Sequence, residues 1–190
     1  MKKFFILLFI LLLKAPVFAA GGTIATYVID PEKNAFDHNN KGVMYVEEKC
    51  YYAAIQEFKM AITLNPKKQA TAVYFNNLGK VYMTIGYPEL ALDCFHNAVV
   101  QYSLNFEYYQ NLAECYKKLG QAQNRLSYYK SNGSNPLNKI MVGLLYEQLG
   151  NKKKAVITFD EFAMSEPNLV ITPAVKQHIQ KLVYELQNAN

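Results

Sequence analysis

A chain of 190 residues with 51% hydrophobic and 18% charged residues amounts to one domain, and that balance excludes intrinsic disorder. The formal net charge of +5 misleads: Lys2, Lys3 and Lys14 fall in the first 19 residues with no acid beside them. The rest carries 17 basic against 15 acidic groups, a net of +2, which excludes the basic stripe of a nucleic-acid binder.

In chain order, Met1-Lys2-Lys3 is a short basic region, Phe4 to Leu13 is ten unbroken apolar residues, and Val17-Phe18-Ala19 offers a cleavage site. Residues 1–19 therefore read as a secretory signal peptide cleaved after Ala19 or Ala20, the alternative being an uncleaved anchor held by Lys14. The apolar run is too short to span a membrane comfortably, and no cysteine follows it for lipid attachment. An exported protein is expected, periplasmic or secreted, with no stable membrane span after cleavage. Residues 20–30 form a linker, and Asp30-Pro31-Glu32 supplies a cap, a first-turn proline and an early acid to start a helix near Pro31.

From there four segments fall into register: HNNKGVMYVEEKCYYAAIQEFKMAITLNP (38–66), FNNLGKVYMTIGYPELALDCFHNAVVQYS (75–103), YQNLAECYKKLGQAQNRLSYYK (109–130) and KIMVGLLYEQLGNKKKAVITFDEFAMSEP (139–167). Gly42, Gly79, Ala113 and Gly143 align, with Tyr45, Tyr82, Tyr116 and Tyr146 three residues later. Ala54 with Phe58, Ala91 with Phe95, and Ala155 with Phe159 repeat a small residue followed four positions on by an aromatic. The aligned small residues are 37, 34 and 30 residues apart, a period that marks a solenoid. Gly86, Gly120 and Gly150 fall at the turns between paired helices. After Pro167, Thr172-Pro173 opens an amphipathic helix with Val175, Ile179, Leu182, Val183 and Leu186 on one side, suited to lidding the open end or, alternatively, to a membrane surface.

On these motifs the chain resembles the tetratricopeptide repeat family, with its L-G-x2-Y, A-x3-F and P signature. The resemblance implies an all-α fold, a right-handed α-α superhelix (solenoid) of about four helix-turn-helix repeats plus a C-terminal capping helix. The domain is expected over 31–190, with units at about 35–68, 72–105, 106–135 and 136–169 and the cap at 172–188. In each unit a small residue sits where two helices cross, and the alignment pairs Gly79 with Ala91. The third unit departs from the pattern: Ala113 replaces glycine, Arg125 stands at the crossing, and SNGSNP (131–136) cuts the second helix about a turn short.

Three cysteines in an exported chain are too few for a disulfide framework and match no zinc pattern, so the fold must rest on packing. Cys94 and Cys115 read as buried thiols, or as a bridge between successive helices. No nucleophile elbow, zincin or phosphate-loop motif occurs, and His38, His96 and His178 are far apart in sequence. No catalytic residue, metal site or cofactor is expected. Asn132-Gly133-Ser134 fits a glycosylation acceptor.

What the resemblance does imply is a groove lined by the first helix of each unit and filled by a protein or peptide partner, with no nucleic acid. Helical spacing assigns to it Asn39, Asn40 and Val43 from the first unit, Asn76, Asn77 and Lys80 from the second, Gln110, Asn111 and Glu114 from the third, and Ile140 and Leu144 from the fourth. Asn40, Asn77 and Asn111 hold equivalent places. In some family members such asparagines hydrogen-bond the backbone of an extended peptide, an amide being both donor and acceptor. The charge-clamp version is poorly matched, since Asn39 and Val43 stand where it wants a lysine and an asparagine. An exported scaffold or adaptor in bacterial envelope assembly is one reading. A holder of unfolded or secreted clients, suggested by the mixed apolar groove, is the alternative, and a small-molecule, glycan-binding or enzymatic role finds no site in the sequence. The apolar fourth unit is expected to seat a hydrophobic anchor from the partner or to lie buried under the terminal helix. The sequence leaves the oligomeric state open.

Overall fold

The computed structural model describes residues 30–66 and 69–188, and every regular element among them is a helix. The expected signal peptide and nearly all of the linker lie outside these residues. Asp30 starts the first helix, its carboxylate accepting from the backbone N–H of Glu32 (3.0 Å) and Lys33 (3.1 Å) while Pro31 opens the first turn.

Helices α1 (Pro31–Glu47) and α2 (Tyr51–Leu64) form the first hairpin, α3 (Gln69–Thr84) and α4 (Pro88–Gln101) the second. Helices α5 (Phe106–Lys118) and α6 (Ala122–Ser131) make the third, α7 (Asn138–Gln148) and α8 (Lys152–Ser165) the fourth, and α9 (Thr172–Gln187) closes the stack against α8. Each second helix packs on the first helix of the next hairpin, which builds an all-α repeat superhelix with one continuous core and two smaller clusters.

The four hairpin turns share one hydrogen-bond pattern. The N–H groups of Cys50, Tyr87, Gln121 and Asn151 donate to the carbonyls of Tyr45 (2.8 Å), Tyr82 (2.9 Å), Tyr116 (2.8 Å) and Tyr146 (2.8 Å), a six-residue closure that satisfies the helix end. The residue before each donor has a positive φ: glycine in the last three turns, but Lys49 at 61° in the first. A side chain there costs about 1 kcal/mol or more.

The close approach at Gly79 involves a different partner from the one the alignment gives. A Cβ on Gly79 would lie 2.6 Å from a ring carbon of Phe95, and Gly42 and Gly143 meet Phe58 and Phe159 at 2.6 and 2.5 Å. Ala91 is fully buried, but it is the ring one turn further along that lies against the glycine. Flat rings tucked onto bare backbone thus close three of the four hairpins.

The third hairpin is looser. Its second helix has 10 residues where α2, α4 and α8 have 14, and α6 hardly touches α5. Tyr129 stands at the phenylalanine position, and Arg125 lies over the Tyr116 ring, 5.0 Å from Cζ to centroid. Helix α7 approaches α5 directly, more closely than α3 approaches α1 or α5.

Cys94 and Cys115 are buried free thiols, so no bridge joins them, and Cys50 is exposed. Burial pushes the Cys94 thiol up to about 12 and the Cys115 thiol up to about 11. Cys115 also donates to the Pro88 carbonyl at 3.1 Å.

Candidate functional site

The first helices carry the predicted groove residues, and successive units are tied together along them by asparagines. Asn77 Nδ2 donates to Asn39 Oδ1 at 2.9 Å, and Asn111 Nδ2 donates to Asn76 Oδ1 at 2.7 Å. The donor lies two residues before the aligned small residue and the acceptor three before it, so one rule generates both bonds. The acceptors are buried, whereas the donors Asn77 and Asn111 are half-buried and keep their own carbonyl oxygens. Asn40 is exposed, its Oδ1 3.5 Å from Asn39 Nδ2. In the fourth unit Met141 occupies the donor place, and the series stops. The acceptor place of the third unit falls to Gln110, half-buried at the groove surface.

A charged group sits beside the amides. Lys80 Nζ donates to Glu107 Oε1 at 3.1 Å and Asn76 Nδ2 to the same oxygen at 3.3 Å. Burial pushes the Glu107 carboxyl up, but hydrogen bonds from Lys80, Asn76 and Asn111 and the Lys80 charge outweigh it, and its pKa falls below the usual carboxylate value.

Between the first and second units lies an apolar notch of ≈ 230 Å³, walled by Val43, Val46 and Val81, floored by the Phe58 ring and edged by Asn77, Lys80 and Thr84. A second hollow of ≈ 450 Å³ lies between α5 and α9 and contains Glu107, Gln110, Gln177 and Lys181. Its wall holds His178, whose Nε2 lies 2.7 Å from Glu147 Oε2 and whose ring packs on Phe106 and Phe159.

The structure thus brings Val43, Asn77 and Lys80 together at the notch, and Asn76, Asn111 and Lys80 around Glu107. Gln110 lies at the second hollow, and Glu114 is exposed on α5. Ile140 and Leu144 are excluded, being 0% and 1% exposed along with Met141. They belong to the main core, in a helix, α7, that packs on α5, α6 and α8. Of the two expectations for the apolar fourth unit, a partner's anchor or burial, these three side chains follow burial. Gln177 and Lys181 escaped the sequence reading because α9 reads as a lid; Lys181 on its polar side was the available signal.

Residues 106–131 and 139–168, the third and fourth hairpins, match the family model described as Tetratricopeptide repeat. No curated protein matches the chain. Among solved structures, the crystal structure of MamA protein is 18% identical, covering 83% of this chain and 90% of that one with a TM-score of 0.50. A tetratricopeptide repeat protein from Parabacteroides merdae is 22% identical with the same TM-score, covering 80% of this chain and 61% of the other. The tetratricopeptide repeat model thus covers the third and fourth hairpins, and the glycine–phenylalanine and turn contacts of the fourth recur in the first two.

Proposed function

We propose that this chain is an exported, non-catalytic scaffold that holds an extended segment of a protein partner along its first helices, in the service of bacterial envelope assembly. One observation carries the reading: Asn77, its orientation fixed by the bond to Asn39, stands at the edge of the apolar notch. A locked amide beside a socket is what a peptide needs, one group for its backbone and one for a side chain. Lys80 and the Glu107 carboxylate continue the polar rim toward Gln110. Export rests on Met1 to Ala19, and no helix among the described residues is long and apolar enough to cross a membrane.

Peptides selected from a random library on the purified protein test the binding site. Val43→Glu and Asn77→Ala should each weaken a selected peptide by about tenfold or more, while His96→Ala, on α4, should leave it unchanged. Peptides indifferent to both groove variants would refute the groove. Export is tested separately by the mass of protein recovered from the envelope fraction, which should begin after Ala19 or Ala20.

A further inference from the structure

The irregular third unit opens a cleft away from the groove. At the first two junctions a tyrosine of the incoming helix seats on two alanines: Tyr74 on Ala35 and Ala61, Tyr108 on Ala72 and Ala98. At the third junction the same positions hold Asn138 and Asn132, and Asn138 Nδ2 donates to the Asn132 carbonyl at 2.5 Å. With α6 a turn short and Arg125 at the crossing, a space of ≈ 540 Å³ remains, walled by Asp93 and His96 of α4, Tyr116 of α5, and Arg125, Tyr128 and Tyr129 of α6. That volume lies in the range of small-ligand sites, roughly 300–1,000 Å³.

We propose that this cleft binds a neutral carbohydrate. The lining argues by sign. Arg125, the single arginine of the sequence, only donates hydrogen bonds, and Asp93 only accepts them; neither has an ion-pair partner among the described residues. An anion would meet Asp93 and a cation would meet Arg125. A hydroxyl can accept from one and donate to the other, and a sugar ring offers several hydroxyls around an apolar face.

The tyrosines supply the complementary surface. Tyr128 is 55% exposed and packs edge-on against Tyr129, with centroids 5.3 Å apart, which leaves ring surface for the C–H face of a sugar. The Arg125 guanidinium lies over the Tyr116 ring, a cation–π contact that helps keep its donors at the cleft. Burial, then the charge and hydrogen bond of Tyr116, push the Tyr129 hydroxyl well above the usual tyrosine value, which keeps it a neutral hydrogen-bonding group.

The test is a nitrogen-15 amide-shift titration of the purified protein with cellotriose, chitotriose and maltotriose at millimolar concentration. At least one sugar should give saturable shifts confined to residues 92–96 and 125–138. Tyr128→Ala, at an exposed site that should not disturb folding, and Arg125→Lys should each weaken binding about tenfold. The proposal is overturned if no sugar moves those amides, if glycylglycine moves them and the sugars do not, or if Tyr128→Ala leaves the affinity unchanged.

Discussion

In the second hairpin a phenyl ring lies where a glycine side chain would be; in the third the glycine is Ala113 and the ring belongs to Tyr129. The two differ by a methyl, a hydroxyl and an arginine at the crossing, yet α3 and α4 lie together along their length while α5 and α6 barely meet. Tight closure therefore depends on a ring packing onto bare backbone, and Ala91 alone does not supply it. When the contact is lost, the freed inner face of α5 is taken up by α7, and the outer side is left open as the cleft beside Arg125.

The comparison breaks most directly at Gly79. Gly79→Val forces a branched side chain into the Phe95 ring and should destabilise by about 3 kcal/mol, whereas Ala113→Val in the looser hairpin should cost about 1 kcal/mol. Urea unfolding of both variants measures the gap, and equal losses would mean the ring contact does not govern closure. Next in size, Asn76→Ala removes the acceptor of Asn111 and one donor to Glu107, so a loss of about 2 kcal/mol is expected from the same measurement.

The turns extend the comparison in the opposite direction. Lys49→Gly gives the first turn the residue the other three have at their positive φ and should raise stability by about 1 kcal/mol, read as a higher urea midpoint. The smallest effect concerns acid. The Glu107 pKa is lower folded than unfolded, so its contribution is present above the unfolded value and disappears as pH falls through the folded one. Lys80→Met should shrink that contribution by a few tenths of a kcal/mol at neutral pH, the pair being half exposed, and flatten the stability–pH curve on its acid side. Unfolding midpoints across the acid range would show it.

Much of this fold could be read from residues. The glycine and tyrosine repeats, the turn glycines and Asp30-Pro31 reflect local geometry, which spacing along one chain records directly. The groove was legible only in part. Val43, Asn77 and Lys80 follow from helical spacing within their own units, but the bonds of Asn77 and Asn111 to Asn39 and Asn76 are relations between units that no single segment encodes. Ile140 and Leu144 misled because α7 packs on α5 as well as on α6 and α8, a relation between units that helical spacing within α7 does not record. The partner of Gly79 was misplaced by one helical turn because a phenylalanine reaches back beyond its own position.

The asparagine bonds also bear on how tandem hairpins find the right neighbour. Four similar modules on one chain could stack out of turn or exchange with another molecule, a common failure of repetitive proteins. Were the fourth module to settle on the first, Met141 would cover the Asn39 oxygen and strand it without a donor, at a cost of about 1–3 kcal/mol. The amides thus act as a lock on succession, and the sulfur-bearing side chain that replaces one in the fourth module bars it from the places where an amide is required.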